Sequence, residues 1–181
     1  MGHEKDRPAA DPKRDRLYQT AAEEFGPALD RLAGGYEADA EKRRDLLQEI
    51  HFQLWRSFEV FDERCSLRTW IFRVAHNTAV SYIHRERRNS SALVNLEEIE
   101  ETASSQERAP DIDQHRALEQ LSRLVLRLKP LDRQIMLSYL EEMDAAAIAD
   151  ITGLSPANIS MKICRIKKVL ARHFLQEGPH V

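Results

Sequence analysis

Two sets of side chains in this sequence have types and spacings suited to holding nucleic acid. Arg68, Thr69, Phe72, Arg73, His76 and Asn77 recur at three- and four-residue steps and run on into Tyr82, His84, Arg85, Arg87 and Arg88. Cations interleaved with an aromatic and an amide can neutralise a phosphate backbone and stack bases, which is the chemistry of a single-strand surface. The second set is Asn158, Lys162, Arg165, Lys168 and Arg172, on a stretch whose apolar positions Ile159, Ile163, Ile166, Val169 and Leu170 leave them facing outward. A capped helix end with polar side chains and a basic flank meets the requirements for entering a major groove. Taken alone, each pattern also fits an ordinary solvated helix face.

Other chemistry is poorly represented. There is no phosphate loop, nucleophile elbow or metal-ligand cluster, and His3, His51, His76, His84, His115, His173 and His180 are scattered, so neither an enzyme nor a cofactor or metal is expected. Cys65 and Cys164 match no zinc or redox spacing, and free thiols in a reduced cytoplasmic setting are expected. The net charge of −3 argues against coating nucleic acid by bulk charge, so any binding must come from local patches. Met1 to Arg16 has no apolar core and no 18-residue apolar run occurs elsewhere, so no signal peptide or membrane insertion is expected.

The elements that must position these side chains are helical throughout. Apolar positions Leu17, Tyr18, Ala21, Phe25, Leu29 and Leu32 follow a helical period, which Gly26-Pro27 should kink or split and Gly34-Gly35 should end. A second pattern over Ala38 to Phe58 places Leu46, Leu47, Ile50, Leu54 and Trp55 on one side. Ser66 is placed to cap the next helix, whose spacing buries Leu67, Trp70, Ile71, Val74, Ala75 and Thr78 and leaves the first basic set outward. Residues 89–114 then carry seven carboxylates against Arg108 alone, the composition of an extended linker. Periodicity resumes near His115, breaks at Lys129-Pro130, and continues from Leu131 to Leu140.

The last segment, Asp144 to Phe174, reads as a helix-turn-helix. Asp144 caps its first helix, Gly153 takes the left-handed conformation that stops it, and Ser155-Pro156 starts the second. The expectation is an all-α chain: a disordered segment 1–14, a helical bundle 15–88, a flexible acidic linker 89–114, and a helix-turn-helix bundle 115–176.

Three separated stretches resemble one family. Asp45-Leu46-Leu47-Gln48-Glu49-Ile50-His51-Phe52-Gln53-Leu54-Trp55 resembles the D-L-x-Q-E-x-F-x-x-L-W signature of extracytoplasmic-function sigma factors. Leu67 to Asn77 is similar to their promoter-melting helix, and Leu128 to Leu170 to their C-terminal helix-turn-helix domain. Order and spacing agree over roughly residues 15–175. The sequence departs from the family at His51, where Phe is usual, at His76, where Arg is usual, and at Ser160 and Met161, where Lys or Arg and then Ser are common.

The resemblance implies a protein that binds core RNA polymerase, recognises a two-part promoter and promotes DNA opening, commonly under an anti-sigma factor. Asp45, Gln48, Glu49 and Arg56 would bind the polymerase. Arg68, Phe72, Arg73, His76, Asn77, Arg85 and Arg88 would hold the melted downstream element, with Phe72 as a stacking partner. Phe61, Asp62 and Arg64 belong to the turn, Phe61 to Ser66, that corresponds to the family's specificity loop and captures a flipped base. The linker would thread the polymerase's basic RNA exit path. Asn158, Ser160, Met161, Lys162 and Arg165 would read the upstream element, while Lys167, Lys168 and Arg172 contact phosphates.

Two other readings stay in view. A sigma-like decoy that sequesters an anti-sigma factor without touching DNA would not need Arg68, Arg73, Arg85, Arg87, Arg88, Lys162, Arg165, Lys167 and Lys168. A two-domain helix-turn-helix repressor would explain 144–174 but not the stretches 45–55 and 67–77.

Overall fold

The computed structural model describes residues 12–93 and 112–176. These form seven α-helices and one short 3-10 turn: α1 (Pro12–Gly34), α2 (Ala40–Ser57), the turn Phe58–Val60, α3 (Leu67–Leu93), α4 (Ile112–Leu126), α5 (Pro130–Leu140), α6 (Ala145–Thr152) and α7 (Pro156–Gln176). No strand occurs among the described residues. The ends of the stretch expected as a linker are helical, since α3 runs to Leu93 and α4 begins at Ile112. The remainder of that stretch, 94–111, and most of the expected N-terminal disordered segment, 1–11, lie outside the described residues.

Helix α1 starts on Pro12, whose missing N–H is harmless in a first turn. The break expected at Gly26-Pro27 does not divide it, because α1 runs through Pro27. A Cβ before proline would crowd the ring in a helical conformation, and Gly26 has none. The buried Ala28, Leu29, Leu32 and Ala33 then hold the helix against its neighbours. Asp39 caps α2, accepting hydrogen bonds from the backbone N–H of Glu41 at 3.0 Å and of Lys42 at 2.9 Å. Leu46, Ile50 and Leu54 bury the inner face of α2 with Ile71, Ala75 and Ala79 of α3. Each leucine or isoleucine fully buried in this way contributes about 1.5–3 kcal/mol.

The second bundle begins where Arg133 reaches back across α5. Its guanidinium donates to the carbonyls of Leu126 and, at 3.3 Å, Leu128, closing the frayed end of α4. The helix-turn-helix follows its sequence signals closely. The Asp144 carboxylate accepts from Ala147 N–H at 2.7 Å, Gly153 has φ 75° and ψ 8°, and Ser155 Oγ accepts from Asn158 N–H at 3.3 Å. Ile148, Ile151, Ile159, Ile166 and Leu170 fill its core with Ile135 and Met136.

The two bundles are packed together. Helix α3 lies between α1 and α2 on one side and α5 and α6 on the other. Gly35, just past α1, lies tight against α5. A Cβ built there would stand 2.4 Å from Leu137 Cδ2.

Candidate nucleic-acid interface

The sandwiching of α3 decides where the first basic set lies. Thr69 is 4% exposed and Phe72 and His76 are 0% exposed, so the outward face expected for these residues is corrected. A single amphipathic period gives a helix one buried face, whereas a helix between two layers has two. Phe72 joins the core, with its ring centroid 6.3 Å from that of His76 and the Arg68 guanidinium 5.9 Å away.

Arg68 and Arg73 are half-buried and turned towards the second bundle. Arg68 donates to the carbonyl of Glu141, at the end of α5, and Arg73 donates to the carbonyl of Asp150 in the last turn of α6, at 2.9 Å. Carbonyls there carry the negative end of the helix dipole, which a guanidinium complements. Asn77, Arg85 and Arg88 remain exposed, and the Arg85 guanidinium sits 5.3 Å from the Tyr82 ring centroid.

His76 occupies the centre of this seam. Its Nδ1 is 3.0 Å from the Tyr36 hydroxyl and its Nε2 is 2.9 Å from Ser138 Oγ on α5, so one ring joins both bundles. Burial pushes its pKa from the ordinary 6.5 down to about 3, and burial likewise raises that of the Tyr36 phenol. Alongside, Arg133 lies 5.6 Å from the Tyr36 ring centroid, and Arg31 makes a bidentate pair with Glu141 at 2.7 Å on both oxygens. Sequence reasoning missed Tyr36, Ser138, Glu141 and Arg133. Nothing in local spacing announces a contact between residues 62 positions apart, as His76 and Ser138 are.

The turn after α2 is held by aromatics. The Phe61 ring centroid is 5.3 Å from that of Trp70 and 6.3 Å from that of Phe58, and the Trp70 indole N–H donates to Ser57 Oγ at 3.0 Å. Glu63 adopts φ 62°, an uncommon left-handed conformation for a side chain of this kind. Asp62 accepts from the backbone and the side chain of Arg64, and the backbone bond foremost keeps its carboxyl below the usual carboxylate range. Ser66 caps α3, accepting from Thr69 N–H at 3.0 Å. Asp62, Arg64, Cys65, Trp70 and Arg73 line a cleft of about 270 Å³ that Asp150 of α6 also borders.

On α7 the second set is exposed: Asn158, Ser160, Met161, Arg165, Lys168 and Arg172 all face solvent. Lys167 is also exposed and reaches the Tyr139 hydroxyl at 3.3 Å. Lys162 differs, since its ammonium pairs with Asp132 Oδ1 at 2.8 Å and both side chains are about one-quarter exposed. Its charge is already partly neutralised.

On α2, Asp45 and Gln48 are exposed and Glu49 is half-buried. They border a groove of about 450 Å³ together with Phe52, Tyr82, Arg85 and Glu86. Phe52 is 53% exposed, with the Arg56 guanidinium 5.6 Å from its ring centroid. An exposed aromatic beside carboxylates has the chemistry to anchor another protein.

Residues 21–89 match the family model of sigma-70 region 2, and residues 118–170 match that of sigma-70 region 4. The chain is 24% identical over 148 residues to the RNA polymerase sigma factor SigV of Bacillus subtilis, covering 81% of this chain and 84% of that one. A shorter stretch of 50 residues, 28% of this chain, is 42% identical to the ECF RNA polymerase sigma factor SigG of Mycobacterium tuberculosis and spans 13% of it. The fold resembles that of the sigma factor RpoE of Bartonella quintana, solved with the anti-sigma factor NepR, at a TM-score of 0.68, 20% identity and coverage of 90% and 98% of the two chains. It also resembles CnrH, solved with the cytosolic domain of CnrY, at a TM-score of 0.64, 18% identity and coverage of 93% and 100%. With both sigma-70 regions present in order, the chain belongs to the extracytoplasmic-function family of RNA polymerase sigma factors.

Proposed function

We propose that this chain joins core RNA polymerase, directs it to a two-part promoter, promotes DNA opening, and is controlled by an anti-sigma factor. The observation that carries the reading is the succession of sigma-70 regions 2 and 4 in one chain, the second bearing a solvent-exposed basic helix. The complexes in which the RpoE and CnrH folds were solved support control by a second protein. Promoter work places the chain in the cytoplasm. Among the described residues no helix is long and apolar enough to cross a membrane.

The division of labour follows the surfaces. Asp45, Gln48, Glu49 and Arg56 dock on the polymerase, with Phe52 as an added anchor. The exposed Asn77, Arg85 and Arg88 meet the melted strand, joined by Arg68 and Arg73 once their carbonyl partners withdraw. Phe72 supports this face from the core. Phe61, Asp62 and Arg64 shape the cleft for a flipped base, and the acidic stretch 89–114 follows the polymerase's RNA exit path. Asn158, Ser160, Met161 and Arg165 read base edges in the upstream duplex, while Lys167, Lys168 and Arg172 hold phosphates. Lys162 contributes to the same face under the restraint of Asp132.

The test is run-off transcription from genomic promoter fragments, with purified core polymerase and this protein. A transcript that depends on the added chain supports the reading. Its absence, with a folded protein and active polymerase, overturns it.

A further inference from the structure

The seam between the bundles covers the Arg68, Arg73 and His76 part of the face that the promoter reading assigns to melted DNA, while Asn77, Arg85 and Arg88 stay exposed. Arg68 and Arg73 each donate one hydrogen bond, to the carbonyls of Glu141 and Asp150, and the cleft beside the turn 61–66 is bordered by Asp150. Both guanidiniums are half-buried against these helix ends, which stand where a phosphate would approach them. Closure of the bundles and occupation of this face by nucleic acid therefore compete.

What fastens the seam is unusual in being polar, buried and titratable. His76 is fully buried, and both its ring nitrogens are bonded to hydroxyls, Tyr36 on one bundle and Ser138 on the other. We propose that the Tyr36–His76–Ser138 string is an acid-released latch, which keeps the free chain closed with its nucleic-acid face covered by its own second bundle.

The surroundings favour a neutral ring. From the first bundle, α1 presents the apolar Leu29, Leu32 and Ala33 to the core and α2 presents Leu46, Ile50 and Leu54. From α5 the nearby charge is Arg133, over the Tyr36 ring, and from α3 itself Arg68 and Arg73. From α6 the buried side chains are Ile148, Ala149 and Ile151. Glu141, the nearby carboxylate, is held by Arg31. Among the described residues no carboxylate bonds the imidazole, and burial is what opposes a proton on it.

Opening exposes the ring on the side Ser138 leaves, returning it towards its ordinary behaviour. The closed state holds a neutral histidine with a depressed pKa of about 3, so its advantage is complete above about 6.5 and declines as pH falls towards 3. Between pH 7.5 and pH 5 the closed-to-open ratio falls about 30-fold, from the protonation of a released imidazole of pKa ~6.5.

Small-angle X-ray scattering on the intact chain reads this directly. The wild type is expected to be compact at pH 7.5 and measurably expanded at pH 5, with unchanged far-UV circular dichroism. If helix content is lost at pH 5, the comparison is made at pH 6, where the same relation gives about a fourfold change. Ser138→Ala removes one end of the string and should expand the chain already at pH 7.5. His76→Phe removes the titrating group and should make the dimensions independent of pH, whether compact or extended. An extended wild type at pH 7.5, a compact wild type at both pH values, or a His76→Phe curve that follows the wild type overturns the latch. The proposal rests on the promoter reading only for the identity of the covered face. Failure of run-off transcription with a scattering curve that responds as described would sink that reading and leave the latch intact.

Discussion

Gly153→Ala should destabilise the second bundle through its backbone alone. The residue stands at φ 75° and ψ 8°, at the stop between α6 and α7, and its N–H donates to the Ala149 carbonyl at 2.8 Å. A Cβ added there meets nothing within 4 Å, so no side chain need move. The left-handed conformation costs an L-residue roughly 1–2 kcal/mol. Alanine also reduces the freedom of the unfolded chain, which returns about 0.4–1 kcal/mol. The net loss is roughly 1 kcal/mol, or about 4–8 °C in the melting midpoint of a bundle of this size. Gly153→Asn should lose less, because asparagine tolerates this region. Thermal unfolding by circular dichroism, with amide exchange across α6 and α7 to localise the effect, makes the comparison. At 25 °C a loss of this size leaves the folded fraction, and hence binding to upstream duplex, nearly unchanged. Alanine proving as stable as glycine, or more stable than asparagine, would refute the argument that conformation alone fixes this turn.

The other predictions concern surfaces. Arg73→Ala and Asn77→Ala should reduce open-complex formation, read by permanganate footprinting, more than affinity for core polymerase; equal losses in both would show these roles are misassigned. Lys168→Ala should weaken all upstream duplexes alike and lower the salt slope by about 0.9. Lys162→Ala should lower that slope less, since Asp132 already pairs with the ammonium at 2.8 Å. Arg165→Ala should instead narrow the gap between correct and mismatched duplexes by about 1–3 kcal/mol per base step lost. Phe52→Ala should weaken polymerase binding about tenfold or more, as loss of an exposed aromatic anchor does, with the melting midpoint unmoved; titration of labelled protein with core enzyme measures it.

The sequence made the local devices legible. Asp144, Gly153, Ser155 and Ser66 act as the caps and stop that their types and positions announce, because capping depends on chemistry within four residues. The exposed cations of α7 were readable for the same reason, since the apolar residues of one helix fix its outward face. The first basic set was not readable. Thr69, Phe72 and His76 form a second stripe on α3 at three- and four-residue steps, and its aromatic member hinted at burial. Which helix would cover that stripe depends on residues about 60 to 80 positions downstream, and no local period encodes this. Pro27 misled in the opposite direction, because Gly26 lets a helix pass where most residues would not.

The hydrogen bonds of Arg68 and Arg73 have one further consequence, for how this protein tolerates sequence change. Their acceptors are main-chain oxygens, of Glu141 and Asp150, and every residue that can continue a helix supplies the same oxygen. Drift at positions 141 and 150 therefore alters the Arg31 pair and little else of the seam. The arginines on α3 have no such freedom under the promoter reading, which asks them to serve phosphates as well as the carbonyls they hold here. In a saturation library scored for both compactness and transcription, tolerance should be lopsided, with α3 rigid in sequence and the helix ends it grips permissive.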